Sequence, residues 1–291
     1  MSNDHLIQGS ASWLDMRKNC VGASDAAAIL GVSPWVTPYG LWSQKMGLVV
    51  VEQNDAMRRG VEMEPLARDA FNRALCVTVE PKVYFDDVYP WCMASLDGVS
   101  ADGKTVVEIK CCGQKDHQTA LDGMIPEKYY PQLQHQLYVT GLKQINYFSY
   151  RSELDFVNLV VKRDDIFIGN MLEAEKEFYR RMIEFDAPPL TEQDYQDFNS
   201  DKDFEYASMI YLDAVKARKE AEKNEGWAKE QMISKANGNA KNRLVRITKY
   251  FRKGNVQYDK IPELEKVDLE KYRKAAVASY RISEVTNGNT A

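Results

Sequence analysis

The stretch SLDGVSADGKTVVEIK, residues Ser95 to Lys110, decides how the rest of the chain is understood. An apolar run ends on Asp97, a turn follows at Ala101-Asp102-Gly103-Lys104, and Thr105 to Lys110 is rich in β-formers. Asp-Gly between two extended runs is a strong hairpin signal. If Asp102 and Gly103 form the loop, Asp97 falls opposite Glu108 with both side chains on one face. Lys110, two residues beyond Glu108, points to that face as well. Like charges facing each other are destabilising unless something neutralises them, and a divalent cation with oxygen ligands does so. The same residues also fit a solvated hairpin with a cross-strand ion pair.

The aspartate followed by Glu-x-Lys resembles the core of PD-(D/E)XK nucleases. Length and composition are compatible with a fold of that size. The chain has 291 residues and 44% apolar content, enough for one large domain or a smaller one with an extension. No run approaches the roughly 18 apolar residues of a membrane span. The opening, MSNDHLIQGSASW, lacks a basic start and an apolar core, so a cytoplasmic protein is expected. Five cysteines (Cys20, Cys76, Cys92, Cys111, Cys112) form no C-x-x-C pair and no Cys/His zinc pattern. None follows Cys112, which argues against an iron–sulfur nuclease.

Net charge is −5, but it is unevenly spread. Glu184 to Asp213 holds nine acids and one lysine, a net of −8; Ala214 to Lys253 holds twelve Lys/Arg and four acids, a net of +8. The basic block can face DNA, an acidic partner, the acidic stretch itself or simply solvent.

Toward the N-terminus, Ser12 is read as the cap of a helix over Trp13 to Lys18, and Gly22-Ala23-Ser24-Asp25 as the cap of a second over Ala26 to Leu30, ended by Gly31. Arg17, Ser24 and the helix N-terminus beside Ser24 are suited to a phosphate, or are an ordinary cap with a surface arginine. A helix follows over Pro38 to Met46. Ala56 to Leu75 is helical with a stripe of Leu66, Ala70, Phe71 and Ala74; Gly60 and Pro65 invite a break or kink. Glu64 on this helix adds a third carboxylate if its face meets the hairpin, and is otherwise exposed. Val79 to Met93 reads as two strands about Asp86-Asp87.

Beyond the hairpin, Gln114 to Asp122 is loop or short helix. Pro126 to Gly141 is a helix that starts near Glu127 to Tyr130, with Pro131 in its first turn. Gln132, Gln134 and Gln136 make it amide-rich, fit to orient water, contact phosphate or fill surface. Ile145 to Tyr150 and Leu154 to Val161 pair as strands, and Asp164 to Phe185 is an amphipathic helix. The order gives a mixed sheet flanked by helices, an α/β core over residues 1–187. An acidic linker over 188–203 and an extension over 204–285 follow. The extension holds a long charged helix from Phe204 to Lys235, strands at Leu244 to Phe251, at Val256 to Tyr258 and at Ala275 to Val285, and a short helix after Lys260; 286–291 is a disordered tail.

In order along the chain stand W-x3-R-x5-ASD (Trp13, Arg17, Ala23 to Asp25), G-x3-E-P (Gly60, Glu64, Pro65), SLDG…EIK and YYPQLQ-x5-TG. This set is similar to the phage lambda-type (YqaJ-type) alkaline exonuclease family over Trp13 to Phe185. The resemblance implies a restriction-endonuclease-like core. It implies that Asp97, Glu108 and the Ile109 carbonyl hold Mg²⁺ (with Mn²⁺ as a substitute), Glu64 lies beside the metal, and Lys110 positions and activates water or steadies phosphorane charge. Gln132 falls at an active-site glutamine, and Arg17, Ser24 and Tyr129 at the 5′-phosphate. Leu96 stands where the family's proline is, at a permissive position. The implied activity is 5′→3′ degradation of one strand from duplex DNA ends, leaving 3′ overhangs. The implied assembly is a trimeric ring, and the implied partner a single-strand annealing protein in phage recombination within a bacterial host. An endonuclease on the same core and a non-catalytic DNA-binding or assembly protein are the competing readings.

Overall fold

A computed structural model describes residues 9–255, 257, 260–262, 264 and 267. The first compact unit, Met1–Gln196, is a mixed α/β core; Asp197–Ala291 form a second. The first holds helices α1 (Ala11–Asn19), α2 (Ala26–Ile29), α3 (Pro38–Lys45), α4 (Asp55–Leu75), α5 (Gln114–Leu121), α6 (Tyr130–Thr140) and α7 (Asp165–Glu184). Its six strands are β1 (Val21–Gly22), β2 (Val79–Phe85), β3 (Cys92–Ser100), β4 (Val106–Lys110), β5 (Gln144–Ser152) and β6 (Asp155–Lys162). Among the described residues no helix is long and apolar enough to cross a membrane.

The sheet runs β1-β3-β4-β5-β6, with β2 on β3; β1 is parallel to β3 and β4 to β5, the other pairs antiparallel. The expected mixed sheet flanked by helices is thus what the chain forms. β3 organises it. β2 fills one edge from Met93 to Ser100, so β1, at Cys92 and Met93, and β4, at Gly98 and Val99, must share the other. Between them Ala94 to Asp97 have no strand partner on that edge, and the sheet opens there.

β3 is also bulged. Glu80 pairs with Val99 and Lys82 with Leu96, so two steps on β2 face three on β3. Pro81, which lacks an N–H, sits at the break. Leu96 and Val99, three residues apart, therefore pack in one cluster with Leu133 and Leu137. Strict alternation fails at Asp97, and the bulge re-aims its carboxylate.

The β3–β4 register is the expected one, Gly98 with Val107 and Val99 with Val106. The loop, however, has four residues rather than two. The Ser100 carbonyl accepts from Gly103 N (2.8 Å), Ser100 N donates to the Thr105 carbonyl (2.9 Å), and Gly103 takes a left-handed φ of +70°. The Asp102 carboxylate accepts from Ser100 Oγ (2.6 Å) and Lys104 N (3.1 Å), stabilising this wider turn. Two- and four-residue loops centred on one point leave the same pairing.

Helices α4 and α6 cover opposite faces of the sheet. α4 runs unbroken through Gly60 and Pro65, the two residues that invite a break. It buries Ala67, Ala70 and Phe71 against Val79, Val107, Ile109 and Phe148; Leu66 is exposed, so the stripe is rotated from the expected one. α6 is buried on nearly every side. Its Gln134 donates to the Lys162 carbonyl (2.8 Å) and accepts from Asp164 N (2.8 Å), joining the end of β6 to the start of α7. The N-cap of α1 is Ser10, not Ser12.

Within the expected linker, Thr191 caps a 3-10 turn over Glu192–Asp194, and Asp194 accepts from the Thr37 hydroxyl, tying this segment to the N-cap of α3. The second unit holds α8 (Lys202–Ala236), β7 (Ala240–Lys241) and β8 (Arg246–Ile247). The strand expected over Leu244 to Phe251 shrinks to two residues because its partner is only two residues long. Asn242 takes the amides of Leu244 and Val245 into the turn (2.8 Å each). The strands expected at Val256 to Tyr258 and Ala275 to Val285, the helix after Lys260 and the tail lie wholly or in part outside the described residues.

Gly98, beside the bulge, has no room for a side chain: a Cβ would stand 2.4 Å from Val79 Cγ2 and 2.8 Å from Val107 Cγ1. Gly98→Ala should destabilise the fold by about 1–3 kcal/mol, read as a lower urea midpoint. Val79→Ala in the same chain should recover part of that loss.

Candidate active site

Three elements converge where the sheet opens. β4 carries Glu108 and Lys110, the bulge of β3 presents Asp97, and α4 and α6 approach from the two faces. In a regular ladder the Ile109 amide would face the Leu96 carbonyl. Here it donates to Asp97 Oδ2 (2.8 Å), so a carboxylate replaces a backbone acceptor at the point where the strands part. Glu108 is 2% exposed and Asp97 8%. Buried carboxylates need donors. Glu108 Oε1 accepts from Lys110 Nζ (2.6 Å) and Gln132 Nε2 (2.5 Å), and Oε2 from Gln136 Nε2. Lys110 also donates to Gln132 Oε1 (3.0 Å), closing a ring of three side chains. From α4, Arg68 pairs with Glu64 and donates through Nε to the Asp97 carbonyl (2.6 Å).

The electrostatics follow from this crowding. Burial, then the charges of Glu108 and Glu64, push the Asp97 carboxyl well above the usual carboxylate range. Burial, with Glu108 opposing Arg68, raises Glu64. Burial depresses the Lys110 ammonium, but Glu108 and Asp97 outweigh it and hold Lys110 protonated. A cluster of hard carboxylate oxygens with too little positive charge around it is a donor set that fits Mg²⁺ or Mn²⁺.

Of the residues singled out from sequence, Asp97, Glu108, Lys110, Gln132 and Glu64 come together, and Ile109 lies between the two carboxylates through its amide. Arg17 and Ser24 form a second group: Arg17 Nη2 donates to Ser24 Oγ (2.7 Å), and the guanidinium lies 5.1 Å from the Trp13 ring centroid. Trp13 Nε1 donates to Ser95 Oγ (3.0 Å), two residues before Asp97, which links the groups. Tyr129 sits with the first group. Its ring is 5.1 Å from Lys110 Nζ and 5.2 Å from Lys128 Nζ, and its hydroxyl donates to Asp116 (3.3 Å). Gln136 and Arg68 were not singled out. Gln136 was visible only as one of three amides on a helix, and Arg68 only by standing four residues after Glu64.

Two other constellations have suggestive residue types. Ser149, His117 and Asp155 are in hydrogen-bond contact (2.7 and 2.9 Å), but Ser149 is fully buried and fits no hydrolase nucleophile. Cys92, His135 and Glu175 cluster inside the core. The His135 ring nitrogens face opposite ways, Nδ1 to Glu175 Oε1 (2.7 Å) and Nε2 to the Met93 carbonyl (3.0 Å). Nε2 also lies 3.4 Å from Cys92 Sγ. Glu175 and the Met93 carbonyl are both acceptors, and Glu175 raises the His135 pKa, which favours an imidazolium ion-paired to Glu175 over a metal ligand.

Comparison with known proteins bears on the fold of this core. Residues 12–143 match the model of the YqaJ-like viral recombinase domain. The chain is 31% identical over 185 residues to an uncharacterised protein of Bacillus subtilis (strain 168), YqaJ; the match covers 61% of this chain and 58% of that one, under two thirds of its length. Among solved structures it is similar to an alkaline exonuclease, LHK-Exo, from Laribacter hongkongensis, at 26% identity and a TM-score of 0.53, covering 60% of this chain and 93% of that one. The structure of LHK-Exo in complex with dAMP matches at 24% identity over the same shares with a TM-score of 0.53, and bears on the fold alone. The core is thus of the PD-(D/E)XK type.

Gln136→Leu should strand Glu108 Oε2 without its donor and destabilise the fold by about 1–3 kcal/mol, measured by urea unfolding. The His135–Glu175 pair predicts a pH dependence. Burial lowers the His135 pKa, but Glu175 and Cys92 raise it well above the usual value. The stability it contributes is complete below the unfolded histidine pKa of about 6.5 and is lost as pH rises through the higher folded value. The stability gap between wild type and His135→Gln should therefore narrow as pH rises above about 6.5. A constant gap in urea unfolding would contradict the charged pair.

Proposed function

We infer that this chain, whose residues 12–143 match the YqaJ-like viral recombinase domain, is a metal-dependent nuclease that degrades duplex DNA 5′→3′ from its ends. The observation that carries this is the Asp97–Glu108–Lys110–Gln132 cluster at the opening of the sheet. The likeness to the Laribacter alkaline exonuclease supports it. Asp97 and Glu108 would hold Mg²⁺ with the Ile109 carbonyl, and Glu64 would lie beside it. A divalent cation held there supplies neutralisation of the phosphate and a bound water of lowered pKa.

The chain's own groups do the rest. The Ile109 amide fixes one Asp97 oxygen, and Gln132 and Gln136 fix both oxygens of Glu108, so the carboxylates are set before substrate arrives. Lys110, held against Glu108 and Gln132, would position the attacking water or put positive charge where the phosphorane develops. Arg17 and Ser24 present a guanidinium fork and a hydroxyl to the 5′-terminal phosphate. The setting we propose is a homo-oligomeric ring, a trimer, in the bacterial cytoplasm. It would supply 3′ overhangs to a single-strand annealing protein during phage recombination, and the second unit would dock that partner.

The test is incubation with Mg²⁺ and linear duplex DNA bearing a 5′-phosphate or a 5′-hydroxyl. Mononucleotides should be released faster from phosphorylated ends, and Lys110→Ala should lose about a hundredfold or more in rate. Cuts in circular DNA would identify an endonuclease instead. Absence of cleavage with Mg²⁺ and with Mn²⁺ would leave a binding or assembly role.

A further inference from the structure

Lys45, the last residue of α3, is a lysine with almost no solvent: its side chain is 6% exposed. An ammonium has three hydrogens to give, and the structure provides three acceptors: the carbonyls of Arg17 and Cys20 (2.8 Å each) and Asp25 Oδ2 (2.6 Å). Asp25 is equally buried. Its Oδ2 also accepts from Gly22 N (2.8 Å), and its Oδ1 lies 3.8 Å from Arg17 Nη2.

Two segments meet on this one ammonium. The first is the C-terminal turn of α1, which carries Arg17 and whose last carbonyls have no partner inside the helix. The second is the 3-10 turn Ala23–Asp25, which carries Ser24 and leads into only four residues of α2. Both are short and would be poorly fixed alone. A buried ion pair gains little net stability over apolar packing, so what it contributes here is geometry.

We propose that Lys45 is a positioning residue for the Arg17–Ser24 pocket. Paired with Asp25, it clamps the end of α1 to the Ala23–Asp25 turn, so that guanidinium and hydroxyl stay 2.7 Å apart and meet a terminal phosphate monoester together. This rests on the phosphate role given to Arg17 and Ser24 above. Lys45 touches no substrate; it acts through the two residues that do.

The readout is the ratio of initial rates on 5′-phosphorylated and 5′-hydroxyl duplex ends, for wild type, Lys45→Met and Asp25→Asn, with circular dichroism melts to verify folding. The ratio should fall about tenfold or more in both variants, while the rate on 5′-hydroxyl ends stays within about twofold of wild type. A folded variant that keeps the wild-type ratio overturns the proposal. If Lys45→Met does not fold, Asp25→Asn, which keeps the shape and removes the charge, decides alone. A wild-type ratio of one overturns the phosphate pocket itself, and is told apart because the variants then have no preference to lose.

Discussion

Everything in the core answers one electrostatic constraint: Glu108 and Asp97 are carboxylates held almost out of water within reach of each other's charge. An ionised carboxyl in such a place is tolerated only if each oxygen finds donors or a counter-charge. The chain meets this from four directions. Lys110 supplies charge along the same strand, Gln132 and Gln136 supply amide hydrogens from α6, and Ile109 gives a backbone N–H. Arg68, on α4, holds Glu64 and the Asp97 carbonyl at once. Glutamine suits the α6 positions because it donates without adding charge, leaving room for a cation's charge at the centre.

The same demand explains why a strand in the middle of the sheet is irregular. A regular β3 would spend the Ile109 amide on the Leu96 carbonyl and hold Asp97 to strict alternation. The bulge opposite Pro81 and the division of one edge between β1 and β4 release Asp97 from the ladder and expose the carbonyls of Ser95 and Asp97 to side chains. Gly98 lets Val79 and Val107 close behind the bulge, so the distortion leaves no void.

Much of this was legible in the residues. The register of β3 with β4 followed from the centre of the Asp-Gly turn, and it survived a loop two residues longer because both loops share that centre; the pairing stops at Gly98 and Val107, one step short of Asp97 and Glu108. The order of helices and strands followed from periodicity and capping residues. What was hidden were the features that depend on contacts distant in sequence. The bulge arises from Pro81 on a neighbouring strand. The buried face of α4 is chosen by the small Ala67 rather than by Leu66. Gln136 and Lys45 look like surface residues until the chain closes over them. A polar side chain that will be buried carries no mark of it in a single sequence, because its partners are backbone atoms and carboxylates that any helix or strand could provide.

The division of β3's edge also bears on the order in which the ribosome makes the parts. β1 leaves the exit tunnel long before β3, the strand it needs, and Glu108 emerges before the helix bearing Gln132 and Gln136. Until residue 136 has been made, Glu108 lacks the amides that hold its two oxygens and remains a solvated side chain on an unfinished sheet. The hairpin alone therefore cannot hold Glu108 in the geometry of the finished core. The centre comes into being only once α6 has been made and docks, and the core around it closes after β5 and α7, which bring β4's other neighbour and the Glu175 partner of His135.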